Sequence, residues 1–349
     1  MKTVKKALIV RFSSFGDILQ CLWAAKFLKE RGYEITWLVR SDFKEIVSLS
    51  PYIDQVVSLD RRLGFKGLQK VIKQLSILDF DLVYDAHNNL RSFFVRLRLK
   101  APQVIVRPKS RIRRWLLFRF QKNLFDPEEF HGAMTYLIPF LRSNFETCAV
   151  YLDQPKAFFD PLFETPAIMV PSETKLKLTQ MVPWIHHAVA IVPVAAWPLK
   201  RWPQEYWKSL ILESSHKYWI VLGGGSDQHC HELAADCSSL ENDIHIISLA
   251  GKLTLTESLA ATSLTKLAVS NDTGLLHAQD ALSKPSIGLI GPSAFGETSF
   301  KDSVNLKASL WCRPCSKDGR SRCKNPETQK CLKSIKPTEV QNELTRYLR

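Results

Sequence analysis

No stretch of this 349-residue chain comes near the roughly 20 consecutive apolar residues that cross a bilayer. Its opening, "MKTVKKALIVRF", holds only a short apolar run before Arg11, which reads as a buried strand rather than a signal peptide. The chain is therefore expected in the cytoplasm, where its eight cysteines stay reduced unless a metal holds them. Acidic residues are scarce: 34 Asp and Glu stand against 48 Lys and Arg, a net charge of +14. That excess calls for an anionic partner, whether nucleic acid, an anionic membrane face or a phosphorylated substrate. Internal repeats, low-complexity tracts and recognisable nucleic-acid-binding motifs are all missing.

What is present is an ordinary soluble composition, 45% apolar and 23% charged, in a chain longer than one core usually grows. Buried strands are expected at 7–12, 34–39, 55–59, 81–86 and 103–106, and again at 187–194, 217–223, 243–248, 266–270 and 286–291. Helical patterns separate them; Ile18, Leu19, Leu22, Ala25 and Leu28 repeat at helical spacing and Gly32 closes that helix. Alternation of this kind predicts an α/β protein with two doubly wound parallel sheets. The expected division is 1–165, a linker at 166–185, a second domain at 186–335, and a terminal helix at 336–349. In such sheets ligands bind beyond the carboxyl ends of the strands, so the loops after Phe12, Val194, Leu222 and Ser270 are where chemistry is expected.

The loop "RFSSFGDIL" is a small polar cradle leading into a helix, and it is neither Gly-x-Gly-x-x-Gly nor a Walker loop. Nicotinamide and ATP chemistry lose support accordingly. Asp17 at the helix start either complements the helix dipole or, desolvated in a cleft, serves as a base; Ser13 and Ser14 can cap. In "SNDTGLLHAQDAL" the tripeptide Asp-Thr-Gly occurs once, whereas an aspartic protease needs a pair of carboxylates. A strand, a turn and a helix start instead offer free N–H groups to a phosphate. Thr273 and His277, four apart, share a helix face; the alternative makes Asp272 an N-cap and His277 a buried polar residue. Lys200 in "WPLKRWP" suits a diphosphate as a point charge, or is simply a solvated base. The glycines of "VLGGGSDQ" let backbone approach a ligand, with Asp227 or Gln228 in reach of ribose hydroxyls.

Together these stretches, "ALIVRFSSFGDILQ", "DLVYDAHNNLRS", "WPLKRWPQEYW", "VLGGGSD" and "SNDTGLLHAQDALSKPSIGLIGPS", resemble the ADP-heptose:lipopolysaccharide heptosyltransferases over almost the whole chain. The resemblance implies a GT-B fold, with two Rossmann-like parallel-sheet domains facing a central cleft, the acceptor on the first and the nucleotide sugar on the second. It implies an inverting transfer of heptose from ADP-L-glycero-β-D-manno-heptose to Kdo-lipid A or the heptosylated inner core of lipopolysaccharide, by a monomer at the cytoplasmic leaflet of the inner membrane. Asp17 would be the general base. Lys200, Gly224, Gly225, Asp227, Gln228, Asp272, Thr273, Gly274 and His277 would bind the donor. Ser13, Ser14, Gly16, Arg61, Arg62, Asn88 and Arg91 would bind the acceptor. No catalytic cofactor is implied. Ala195 and Ala196 stand where some relatives place threonines.

The basic excess concentrates between Arg91 and Lys122, with eleven Lys or Arg and no Asp or Glu, and at Arg61, Arg62 and Lys66. Both clusters are expected in the first domain, suited to an acidic lipid-sugar. Competing readings are a GT-B relative using another nucleotide sugar and a noncatalytic nucleic-acid-binding protein. The helix "RIRRWLLFRFQKNLF" from Arg111 either touches a membrane surface or packs on the first domain. Cys312, Cys315, Cys323 and Cys331 form a C-x2-C-x7-C-x7-C array that suggests a structural zinc, with free buried thiols or a redox-sensitive pair as alternatives. Cys21, Cys148, Cys230 and Cys237 read as packing residues. The terminal helix is expected to pack back on the first domain.

Overall fold

The structure, a computed structural model, describes residues 4–143, 145 and 153–349. In chain order the elements are β1 (Lys5–Val10), α1 (Phe15–Lys29), β2 (Tyr33–Arg40), α2 (Lys44–Ser48), β3 (Gln55–Leu59), α3 (Gly64–Leu75), β4 (Leu82–Asp85), α4 (Leu90–Arg98), β5 (Gln103–Val106), α5 (Arg111–Phe120), α6 (Met134–Arg142) and α7 (Pro155–Phe159). They continue with α8 (Ser172–Met181), β6 (Val189–Val192), α9 (Gln204–Leu212), β7 (Tyr218–Val221), α10 (Gln228–Leu240), β8 (His245–Ser248), α11 (Leu255–Leu264), β9 (Ala268–Asn271), α12 (Gly274–Ala281), β10 (Ser286–Leu289), β11 (Val304–Leu306), α13 (Lys330–Lys333) and α14 (Pro337–Leu348).

Two compact units result, and all ten expected strands appear. The first, Met1–Ser110 with Gly132–Met169, holds a parallel sheet in the order β3-β2-β1-β4-β5. Its central strand β1 buries Ala7, Leu8, Ile9 and Val10 completely, as a strand covered by helices on both faces must. The second, Arg111–His131 with Val170–Arg349, holds a parallel sheet in the order β11-β10-β9-β6-β7-β8. Strand β11 escaped the sequence reading because its three residues carry no apolar run.

Three expectations about organisation are corrected. The chain leaves the first unit at residue 110 and returns at 132, so the basic run is split and α5 belongs to the second unit. There Leu117 packs with Phe125 and Ala294, Arg114 lies 4.4 Å above the Phe295 ring, and Arg113 pairs with Glu129 at 2.8 Å. The chain also has no free linker at 166–185, since α8 packs on α11 of the second unit. Finally, α14 lies on α9 and β10, with Val340 and Leu344 fully buried in the second unit's core, where the sequence reading had carried it to the first domain. Cys21, Cys230 and Cys237 are buried, as packing residues should be; Cys148 lies outside the described residues.

A buried carboxylate secures the second unit behind β9. Asp280 on α12 accepts hydrogen bonds from the backbone N–H groups of Ser299 (2.7 Å) and Phe300 (3.1 Å), and burial, outweighing those two bonds, raises its pKa to about 7. The folded chain thus holds this proton more tightly than the unfolded chain, whose value is near 3.8. The stability from this group is full below the unfolded value and fades as pH climbs toward 7. The Tm of the wild type is therefore expected to fall relative to that of Asp280→Asn between these two values. A Tm difference that stays flat across the range would refute the assignment.

Candidate active site

In the first unit the chain leaves β1 at Val10 and turns through Arg11–Ser14 into α1, whose N-cap is Ser14 and whose third residue is Asp17. Ser14 donates to Asp17 Oδ2 twice, from its backbone N–H at 3.2 Å and its hydroxyl at 2.8 Å. Ser14 and Asp17 form the capping box of this helix, which holds the carboxylate at the helix start. Three further groups converge. Arg11, buried, reaches Asp17 Oδ2 at 2.6 Å, the Tyr136 hydroxyl from α6 donates to Oδ1 at 2.7 Å, and Arg107 lies 4.1 Å over the Tyr136 ring. Burial opposes ionisation of Asp17, but Arg11, the Tyr136 hydroxyl, Arg107 and Ser14 outweigh it and hold the carboxyl well below the usual carboxylate range. The side chain still keeps 38% of its surface open, so the anion is held in place yet reachable.

Arg11 also donates to the Ala86 carbonyl at 3.0 Å, which ties the turn after β4 to the same carboxylate. That turn carries His87 and Asn88, whose backbone N–H groups both donate to Asp85 Oδ1 (3.1 and 2.6 Å). His87 stacks edge-on to Phe12 at 5.1 Å; burial and then the Arg11 charge lower its pKa to about 4, so the ring is neutral. Asn88 is largely committed, because its amide nitrogen donates to the Arg107 carbonyl at 2.9 Å. Gly16 sits in the first turn of α1, next to Asp17. Ser13 lies in the loop just before it, while Arg61 and Arg91 are exposed on the surface and Arg62 pairs with Asp60 at 2.8 Å. The structure thus groups Ser14, Gly16 and Asp17 closely and leaves the arginines at the periphery. Arg11 had a visible signal, a lone cation at the end of an apolar run; Tyr136, 119 residues from Asp17, had none.

In the second unit β9 ends at Asn271 and α12 begins at Gly274, with Thr273 as N-cap. Asp272 is not the cap. Its carboxylate faces Lys200 Nζ at 2.8 Å, His277 Nε2 at 3.8 Å and the Ser293 hydroxyl, which donates to it. Burial again opposes ionisation, and Lys200, His277 and Ser293 outweigh it, so Asp272 sits below the ordinary value. Asn271, fully buried, steers the Lys200 loop: it accepts from Trp202 N at 3.0 Å and donates to the carbonyls of Val192 and Val194, each at 3.3 Å. Lys200, Asp272, Thr273 and His277 therefore meet at the carboxyl end of β9, with Gly274 starting the helix whose N–H groups point there.

The glycine loop after β7 forms a separate wall. Asp227 is the N-cap residue of α10 and accepts from Gly224 N at 2.7 Å, leaving its second oxygen and Gln228 for a ligand. Gly251, at φ +68°, packs its backbone on Gly225; a Cβ there would stand 2.6 Å from the Gly225 Cα.

Cys312, Cys315, Cys323 and Cys331 line one cavity with Arg313, Asn325 and Lys330, but among the described residues no three His, Cys, Asp or Glu side chains are placed to hold a metal ion. Burial and the neighbouring thiols push Cys331 up to about 11 and Cys315 upward too. None of the four is joined in a disulfide; Cys312, Cys315 and Cys331 are buried and Cys323 is partly exposed. The segment they anchor braces Lys200 instead. Gln329 Nε2 donates to the carbonyls of Pro198 (2.7 Å) and Arg201 (3.2 Å), and Gly319, at φ +83°, lies so close that a Cβ would stand 2.7 Å from Lys200 Cγ.

Residues 68–328, most of the second unit and part of the first, match the model of glycosyltransferase family 9 (heptosyltransferase). The chain belongs to this family. As a family 9 glycosyltransferase it is 24% identical to lipopolysaccharide heptosyltransferase 1 of Pseudomonas aeruginosa over 330 residues, which cover 89% of this chain and 86% of that one. Among solved structures it resembles the family 9 glycosyl transferase of Veillonella parvula (TM-score 0.73, 18% identity, 100% of this chain and 98% of the other). It also resembles E. coli heptosyltransferase WaaC with ADP-2-deoxy-2-fluoro heptose (TM-score 0.63, 19% identity, 98% and 99%). The shared fold is the GT-B type expected from sequence, with two parallel-sheet α/β domains.

Proposed function

We propose that this glycosyltransferase moves heptose from ADP-L-glycero-β-D-manno-heptose to the Kdo or heptose of the lipopolysaccharide inner core, with inversion at the anomeric carbon, as a cytoplasmic protein peripheral to the inner membrane. The observation that supports it best is the Asp17 carboxylate: ionised, oriented by four groups and still open on one side. The names of the P. aeruginosa relative and of the WaaC complex supply the acceptor class and the donor.

In this reading the acceptor hydroxyl approaches Asp17 and its oxygen attacks the anomeric carbon. As that C–O bond forms, the bond from the anomeric carbon to the diphosphate oxygen breaks, ADP departs with the bonding pair, and the hydroxyl proton passes to Asp17. A carboxylate of such low basicity takes the proton late, when the attacking oxygen has become strongly acidic. Lys200 and the N–H groups at the start of α12 meet the charge growing on the diphosphate. Asp272 holds Lys200 in place before the donor arrives, while His277 and Ser293 keep Asp272 ionised. Gly224, Gly225, Asp227 and Gln228 hold the adenosine. Arg61, Arg62 and Arg91 draw in the acidic acceptor, with Asn88 fixing the turn beneath it. No step in this scheme is assigned to a metal.

The test offers ADP-heptose, ADP-glucose and UDP-glucose in turn with a deacylated Kdo-containing acceptor, following nucleotide release and product mass. Product only with ADP-heptose is expected; turnover of another sugar nucleotide at a higher rate would replace the donor assignment.

A further inference from the structure

Helices α3 and α4 lie side by side on the first unit's core, burying Leu68, Val71 and Leu75 from one and Val95 with the adjoining Leu99 from the other. An amphipathic helix pair should then turn polar outward. These do not. Leu90, Phe93 and Leu97, spaced i, i+3, i+7 on α4, are 71%, 41% and 59% exposed, and Leu63 and Phe65 at the start of α3 are 55% and 59% exposed. Phe65 and Phe93 both meet the ring of Phe94 at 6.0 Å, so the two helices share one apolar outer strip.

The strip is framed by one sign of charge. Lys66, Lys70, Arg91, Arg98 and Lys100 are exposed around it, and no Asp or Glu occurs from Arg61 to Leu78 or from Ala86 to Phe125. Arg96 lies 5.2 Å over the Phe93 ring, holding it upright. Large apolar side chains among an excess of cations match an anionic bilayer surface: the rings and leucines enter the headgroup boundary while the cations meet phosphates. Helix α5 is the weaker candidate, although Ile112 and Trp115 are exposed, because Arg113 is spent on Glu129 and Arg114 on Phe295.

We propose that the outer face of α3 and α4 is the membrane-docking surface of this enzyme and binds anionic phospholipid. The inference rests on the proposed lipid-borne acceptor for its purpose, but its test does not. Purified wild-type protein is floated with vesicles of equal phosphatidylcholine and phosphatidylglycerol, and with phosphatidylcholine alone. Binding to the anionic vesicles that weakens with salt is expected. Phe65→Ser/Phe93→Ser/Leu97→Ser, all at exposed positions, should lose at least about tenfold in vesicle affinity, since each buried apolar side chain is worth roughly a factor of ten. Lys70→Glu/Arg98→Glu should lose binding at low salt. Transfer to a deacylated, water-soluble acceptor should be unchanged in the triple variant, and transfer to vesicle-borne acceptor should drop with binding. Equal vesicle binding by the triple variant overturns the proposal. So does loss of binding only in Ile112→Ser/Trp115→Ser, which would move the surface to α5, or competition by single-stranded RNA that exceeds that of the vesicles. Absence of transfer with vesicle binding intact would refute the proposed activity and leave this surface standing.

Discussion

Asp17→Asn is expected to lower kcat by about 10² to 10⁴, the range a positioned general base contributes. The single asparagine oxygen can keep either the Tyr136 bond, accepted by Oδ1 in the wild type, or the Ser14 bonds, accepted by Oδ2, but not both; the donor-binding side chains are untouched, so donor KM should move little. The wild-type pH profile is part of the same expectation. Because Arg11, Tyr136 and Ser14 hold Asp17 below the usual carboxylate range, it remains ionised as pH falls, and no acid limb from it should appear above about pH 4. Removing the cation should change that. In Arg11→Met the carboxyl returns toward its ordinary value or, being partly buried, above it, so an acid limb should enter the measurable range. Asp17→Asn with more than a tenth of wild-type kcat, and an Arg11→Met profile identical to wild type, would remove Asp17 from the reaction.

The second large effect concerns Lys200. Its side chain and that of Asp272 are both mostly buried, 15% and 8% exposed, at 2.8 Å. Lys200→Ala should lower kcat/KM by about 10² to 10³, the loss typical of one charge-stabilising group at a leaving oxyanion. It should also cost about 3 kcal/mol of stability, because the buried carboxylate loses its nearest cation and keeps only His277 and Ser293. Structural and catalytic roles separate in the double variant. Lys200→Met/Asp272→Asn should recover much of the stability, since a neutral pair replaces the ion pair, and none of the activity. Lys200→Arg should fail too, because a planar guanidinium spreads its charge over a fork and cannot present it at the single point the ammonium occupies. Recovery of activity in the neutral double variant, measured alongside Tm, would reduce the pair to a structural one.

Much of the architecture was legible because parallel strands covered on both faces are continuous apolar runs, and ten such runs stand out in the chain. Their carboxyl ends then located the loops that carry Asp17, Lys200, the glycine turn and Asp272. Legibility failed where a contact joins distant residues. Tyr136 and Arg107 reach Asp17 through tertiary packing alone, and no spacing announces them. The excursion of 111–131 into the second unit was invisible for a related reason. "RIRRWLLFRF" carries the same apolar-basic pattern whichever core receives Leu117, and the partners that decide it, Ala294 and Phe295, lie far along the chain. The cysteine spacing brought four thiols to one cavity, but it said nothing of their arrangement around a common point or of cations such as Arg313 that line the same cavity.

The most direct test of the account is the anomeric configuration of the product formed from ADP-L-glycero-β-D-manno-heptose, read by NMR on the purified oligosaccharide. A single displacement with Asp17 taking the proton predicts an α-linked heptose throughout the reaction. A β-linked product would require two displacements or a front-side path, and would contradict the role given to Asp17.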